Sequence, residues 1–332
     1  IRLTRFSRNS DQEMKDALEN LIDSNMTGLI LDLRDNPGGL LNSAVNILDM
    51  FTEKGQLLVY TEGKTYKSKR KYFSKSEPLV PNEIKITVLV NQGSASASEI
   101  VAGVLQDVDR GVVIGRSTFG KGLVQTVINI DRERSVKITS AKYFIPSGRL
   151  IQKPGYLPKE LLADTSSMDS IFFTKGGRSV SGLGGINPDY TVDLNNIEPL
   201  LSVSLRKGLF FSFVQKNKSK YNSFKDVEND TSILNEFESY MYSNNIQVKM
   251  RGESNYIKMK EKLLELDSNS VQIQGALDIL DSYFEDISIN QFDLEKSDIH
   301  HWLLVEFAEY FNGVEGRFKI SARKDLDIQK AM

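Results

Sequence analysis

Cysteine is absent from all 332 residues, and with it go disulfides, thiolate nucleophiles, cysteine-type zinc sites and iron–sulfur clusters. Histidine is nearly absent. Only His300 and His301 occur, side by side, which leaves almost no material for a Ser-His-Asp triad or a three-histidine metal site. A nucleophile in this chain needs another base. Neither sign of charge dominates: 42 Lys and Arg against 44 Asp and Glu give a formal net charge of -2, so no basic excess argues for a nucleic-acid partner. No stretch approaches the roughly 20 apolar residues that cross a bilayer, so no transmembrane segment is expected. Repeats of about 20 to 50 residues are missing too. What remains is 40% hydrophobic and 26% charged, an ordinary globular balance, in a length that suggests two domains at about 150 residues each. The chain opens on Ile1, already in a strand-like run with Leu3 and Phe6. Without an initiator Met or a signal peptide it reads as a piece of a longer protein.

Residues 1 to 150 alternate strand-like and helix-like runs. Ser10 with Glu13 predicts a capping box, followed by Met14, Leu18, Leu21 and Ile22 at helical spacing. Leu29, Ile30, Leu31 and Leu33 form an apolar run of strand length, the pattern of a parallel strand covered on both faces. It stops at Asp35-Asn36-Pro37-Gly38-Gly39, a loop by its turn chemistry. A helix is predicted over 40–51, with Leu41, Ala44, Val45, Leu48 and Phe51 on its buried side. Strands are predicted at 57–60, 84–90, 112–114, 123–130 and 136–143, and a helix over 97–107. That order predicts an α/β core with crossover connections. Residues 146–195 are rich in turn residues (Pro146, Gly148, Pro154, Gly155, Gly176, Gly177) and are expected to wrap the core as long loops. From 196 onward, helical periodicity at 233–242, 256–266, 271–284 and 302–311 predicts a helical C-terminal domain. The expected division is therefore 1–195 and 196–332.

Three segments carry candidate chemistry. In Val88-Leu89-Val90-Asn91-Gln92-Gly93-Ser94-Ala95-Ser96-Ala97-Ser98-Glu99 a buried strand runs through small residues into a helix, which presents a hydroxyl beside free backbone N–H groups. Ser96 and Glu99 also satisfy the S-x-x-E capping pattern, so Ser96 is either a cap or a nucleophile. In Gly115-Arg116-Ser117-Thr118-Phe119-Gly120-Lys121-Gly122 a lysine sits between two glycines, where it is either a surface residue of a turn or a base. A lysine that serves as base must exchange its usual pKa of about 10.4 for one near 7, roughly 4–5 kcal/mol, which burial or a neighbouring cation supplies. Lys121 is followed by Gly122 rather than Ser or Thr, so the segment is not a phosphate loop. In Asp32-Leu33-Arg34-Asp35-Asn36-Pro37-Gly38-Gly39 the two glycines can bring backbone N–H groups close to a carbonyl. Asp32, Arg34 and Asp35 are expected to brace that turn.

Together these segments resemble the C-terminal processing peptidases, or tail-specific proteases, serine endopeptidases with a Ser-Lys catalytic pair. The resemblance rests on LILDLRDNPGGLL at 29–41, VLVNQGSASASEIVAG at 88–103, GRSTFGKGLVQT at 115–126, SAKYFIPSGRLIQ at 140–152 and GGINPDYTV at 184–192, in that order. It implies a crotonase-like (ββα-type) core over 1–195, with Ser96 as nucleophile and Lys121 as general base. Gln125 would orient the lysine amine. In a straight strand four residues span about 13 Å, so Lys121 and Gln125 meet only if the chain bends at Gly120 and Gly122. The implied oxyanion hole combines the N–H of Ala97 with that of Gly38 or Gly39, and Ser94 and Ser98 are bystanders.

The resemblance also implies an acyl-enzyme, protein substrates taken through their C-terminal tails, a cell-envelope or periplasmic setting, and no metal or organic cofactor. Two departures stand out. Relatives carry an acidic residue where this chain has Arg116, and the family's PDZ domain is expected to lie before Ile1. The rival expectation is a non-catalytic crotonase-like binding or scaffold module, or a fragment inactive without that PDZ domain. The presence of both Ser96 and Lys121 argues against a pure binder.

Overall fold

Alternating apolar strands and amphipathic helices bury their faces only by layering, and the first half of the chain does this around two sheets. The computed structural model describes residues 1–153, 171–182, 184–193, 197–244, 246, 248–250, 252–267 and 270–332, apart from the side chains at 67 and 289. The chain divides into two compact units, Ile1–Asp193 with Leu326–Met332, and Leu194–Asp325. In chain order the first contains α1 (Ser10–Asp23), β1 (Gly28–Asp32), α2 (Leu41–Asp49), β2 (Leu57–Glu62), β3 (Arg70–Phe73), β4 (Lys85–Val90), α3 (Ala97–Asp107), β5 (Val112–Gly115), β6 (Leu123–Asn129), β7 (Ser135–Phe144), β8 (Ile171–Phe173), β9 (Ser179–Ser181) and β10 (Tyr190–Thr191).

One sheet is parallel, in the order β1-β4-β5-β10, and a second is antiparallel, in the order β3-β2-β7-β6. A mixed α/β core is what the alternation of elements predicts. The apolar run at 29–33 pairs Leu31 with Val88, and Val88 with Val113, placing the middle of the parallel sheet in the core with Leu48, Phe51, Val101 and Leu105. Each such side chain contributes roughly 1.5–3 kcal/mol when fully buried. Every residue of α3 is buried. That helix is thus packed on all sides, and its N-terminus is held firmly.

Several local expectations need correction. Ser10 is the first residue of α1 rather than its cap, and Asn9 holds the cap position. The Ser10 hydroxyl donates to Arg5 O at 3.0 Å and pairs with the Ser7 hydroxyl at 2.9 Å, so no capping box forms there. The run from Ile1 to Phe6 makes only isolated bridges, Arg2 to Asp32 and Phe6 to Gly39. Part of 146–195 pairs as β8, β9 and β10, whereas Pro154, Gly155 and the expected boundary at 195/196 lie outside the described residues.

The second unit contains α4 (Pro199–Arg206), α5 (Leu209–Asn217), α6 (Phe224–Asn229), α7 (Ile233–Ser243), α8 (Glu253–Leu266) and α9 (Val271–Ser321). Its core stacks Phe210 on Phe237 at 4.8 Å and sets Phe213 edge-on to Phe237 at 5.2 Å. The runs predicted at 271–284 and 302–311 are one helix, broken only at Gly313 (φ 67°, ψ -161°). No proline interrupts 271–321, so nothing stops the helix between the two periodic stretches. The short α10 (Leu326–Ala331) returns to the first unit. No described helix is long and apolar enough to cross a membrane.

Candidate active site

β4 ends at Val90 and α3 begins at Ala97. Ser96, between them, is half-buried and stands at φ 56°, ψ -111°. Such a conformation costs an L-residue about 1–3 kcal/mol and persists only where the surroundings over-determine it. Here its neighbours do so. Ser94, fully buried, donates from Oγ to Leu33 O at 2.8 Å and accepts the Asn91 N–H at 3.0 Å. Ser98, also buried, donates to Asn36 O at 2.9 Å, and the Ala95 N–H reaches the same oxygen at 3.0 Å. Two of the three serines are therefore tied into the turn after β1, while Ser96 alone keeps some access to solvent.

The S-x-x-E spacing predicts only a cap for Glu99, and the structure gives it a larger part. Ser96 and Glu99 do stand as a capping box. The Glu99 Oε2 atom accepts the Ser96 N–H at 2.7 Å and the Lys121 N–H at 2.8 Å, so both motif segments meet on one oxygen. Oε1 accepts the Gly120 N–H at 2.7 Å and the Thr118 hydroxyl at 2.6 Å. The carboxyl is wholly buried, and burial raises its pKa above the usual value against the opposing pull of those four donors. A carboxylate taken out of water at this depth needs that many partners.

Lys121 is half-buried, between Gly120 at φ 87° and Gly122. A Cβ at position 120 would lie 2.7 Å from Lys153 Cβ, so the bend before the lysine requires glycine. Among the described residues no carboxylate pairs with the Lys121 ammonium; Glu99 holds the backbone instead. The buried Tyr143 hydroxyl donates to the Lys121 carbonyl and lies 3.3 Å from the Ser96 carbonyl. Burial, reinforced by the Glu99 charge, holds this phenol well above its usual pKa, so it stays a donor. Nothing in the strand-like spacing of SAKYF singles Tyr143 out for this place. Gln125 is not joined to the lysine: it is exposed on β6, past a register shift between Val124 and Gln125, with no hydrogen bond to Lys121 among the described residues.

Gly38 and Gly39, alternatives by sequence, occupy different environments. A Cβ on Gly38 would come within 2.8 Å of both Ala97 N and Ser96 Cβ, so the Gly38 backbone lies directly against the serine. Its own N–H, however, donates to Asn36 Oδ1 at 2.9 Å, and Asn36 is fully buried. The N–H groups of Gly39 and Ala97 have no acceptor among the described residues. The turn is braced as expected: Arg34 forks onto Asp32 at 2.9 and 2.7 Å, and Asp35 and Asn91 exchange hydrogen bonds at 2.9 and 2.8 Å.

A strained serine, a glycine-flanked lysine and unspent backbone donors thus share one corner of the first unit. A family model described as Peptidase family S41 matches residues 1–161. Ser96, Lys121 and the Gly38-Gly39 turn all lie within that match. A second model, described as "Probable PDZ-protease, C-terminal helical domain", matches residues 200–332. The carboxy-terminal-processing protease of Bartonella bacilliformis is 40% identical over 162 residues, 48% of this chain and 37% of that protein. The carboxy-terminal processing protease CtpA of Bacillus subtilis is 32% identical over 286 residues, 84% of this chain and 55% of that protein. A solved photosystem II D1 C-terminal processing protease superposes with a TM-score of 0.44 at 31% identity, covering 58% of this chain and 41% of that one. The chain thus spans about half, or less, of the relatives it matches. The S41 region takes in the segments at 29–41, 88–103, 115–126 and 140–152 and stops before 184–192.

Proposed function

We propose that this chain is the catalytic portion of a C-terminal processing serine endopeptidase, with a crotonase-like core over 1–195 and a helical domain over 196–332. The observation that carries the reading is that Ser96 and Lys121 place their N–H groups on the same Glu99 oxygen. Ser96 Oγ attacks a peptide carbonyl of the substrate, and the Lys121 amine takes the hydroxyl proton as general base. The carbonyl oxygen becomes an oxyanion held by the Ala97 N–H at the start of α3 and by the Gly39 N–H. Gly38 has the close-approach role, since its own N–H is already spent on Asn36. Each oxyanion donor is worth roughly 3–4 kcal/mol in comparable hydrolases. The proton moves from Lys121 to the leaving amine, an acyl-Ser96 remains, and water attacks it with Lys121 again as base. No step calls for a metal or an organic cofactor.

The names of the relatives, carboxy-terminal processing proteases, support protein substrates cleaved near their C-termini; a cell-envelope or periplasmic setting belongs to the same proposal. The test is cleavage of a disordered protein with a free C-terminus, its products read by mass spectrometry. Cuts are expected near that C-terminus, with Ser96→Ala and Lys121→Ala each slowed at least about a thousandfold while remaining folded. Lys121→Arg is expected to fail equally, because a guanidinium cannot act as base. Turnover retained by Ser96→Ala protein would discard the assignment.

A further inference from the structure

Arg116 meets a carboxylate from the far end of the chain. Asp327, on α10, is 3% exposed and belongs to the same compact unit. Its Oδ2 accepts from Arg116 Nη2 at 2.9 Å and from Arg34 Nη1 at 2.9 Å, and its Oδ1 accepts from Arg116 Nη1 at 3.2 Å. The two guanidiniums are themselves anchored. Arg34 forks onto Asp32, and Arg116 Nη1 also donates to Val192 O at 3.1 Å. Lys330, one turn further along α10, stands 5.6 Å over the Tyr190 ring and adds a second point of attachment.

What the two arginines have in common is their place in the chain. Arg34 immediately precedes the turn Asp35–Gly39, and Arg116 opens the segment that ends at Lys121. The side chains are only 12% and 16% exposed, so bringing two like charges to one point is costly unless an anion lies between them. Among the described residues, Asp327 is the carboxylate that pairs with Arg116. Buried ion pairs of this kind contribute little net stability compared with apolar packing, but losing one partner leaves a charge stranded, so they fix geometry sharply.

We propose that Asp327 is a positioning residue for the peptidase reaction: through Arg34 and Arg116 it holds the loop bearing Gly39 in register with the loop bearing Lys121. The inference rests on the peptidase reading for its effect on turnover, but not for its effect on the loops. A helix near the end of the chain thereby completes the catalytic unit, although more than 200 residues separate it from either loop.

The experiment uses the full chain carrying Asp327→Asn, which keeps size and removes charge. Backbone amide exchange across 35–39 and 116–121 is expected to speed up about tenfold or more, while exchange in α5 is unchanged. Against the disordered protein substrate, kcat is expected to fall about tenfold or more with KM within about twofold. Arg116→Gln and the double variant Arg116→Gln/Asp327→Asn are expected to lose the same factor as the single, because all three break one bridge. Asp327→Glu should recover part of the loss. If Asp327→Asn does not fold, the double variant, which strands no charge at Arg116, carries the comparison. Unchanged exchange in both loops, or a double variant whose loss is the product of the two singles, overturns the proposal. A wild-type chain that cleaves nothing yet shows the expected exchange difference would count against the peptidase reading alone.

Discussion

The two units bury different kinds of side chain. Around its strand-to-helix corner the first encloses Asp32, Asn36, Ser94, Ser98, Glu99, Thr118 and Gln152, while the second encloses mainly apolar and aromatic groups such as Phe210, Phe213, Phe237 and Phe307. Apolar packing is non-directional and stabilises in proportion to area. A buried polar group costs free energy unless each donor and acceptor is placed to within tenths of an ångström. The first unit accepts that demand at residues 91–122, where position matters for chemistry. The second, in which the buried Glu295 caps the start of α4 through Leu200 N–H and Leu201 N–H, uses its polar groups to end helices.

That contrast can be broken in three ways. Phe237→Ala removes a fully buried ring from the second unit and is expected to cost about 3–5 kcal/mol in denaturant unfolding. A loss under about 1 kcal/mol would contradict the account of that core. Gly38→Ala places a Cβ 2.5 Å from Ala95 O at φ 90°. Turnover is expected to drop about a hundredfold or more, because the added methyl displaces the turn from Ser96 and takes the adjacent Gly39 N–H with it, with a smaller change in unfolding free energy. Equal loss on both axes would mean that the turn serves the fold rather than the site.

The third is a pH titration of stability. Burial raises the Glu99 pKa, so its contribution is fully present below the unfolded value near 4.5 and is lost as pH rises through the raised folded value. In the second unit Ser232, then Tyr221, hold Asp230 down to about 2 from 3.8. Its contribution is present above 3.8 and is lost as pH falls through about 2. Glu99→Gln should therefore flatten the first slope and Asp230→Asn the second; an Asp230→Asn protein with an unaltered acid limb would refute that assignment.

What could be read without coordinates was local. The apolar run ending at Leu33, the capping pattern at Ser96 and the glycine pair around Lys121 announce themselves within a dozen residues, and the parallel sheet follows from their order. Other features depend on what lies across space. Gly38 and Gly39 look alike as letters, and only Asn36, folding back onto the Gly38 N–H, separates them. Glu99 reads as a cap because its second partner, the Lys121 N–H, is 22 residues away. Asp327 is one acid among many until Arg34 and Arg116 close on it. The full length of α9 is also legible only with hindsight: between the two periodic runs the buried side is carried by Gln291, Phe292, Glu295 and Ile299, of which two are polar, so the stripe is not apolar throughout.

The central claim is that the hydroxyl of Ser96 becomes acylated with Lys121 as its base. The most direct measurement mixes the protein with an activated acyl ester, quenches it in acid within milliseconds, and locates the added acyl mass by peptide mass spectrometry. The account predicts the acyl group on Ser96, forming faster as pH rises and not forming in Lys121→Ala protein. An acyl group on another residue, or full acylation of Ser96 in Lys121→Ala protein, would contradict it.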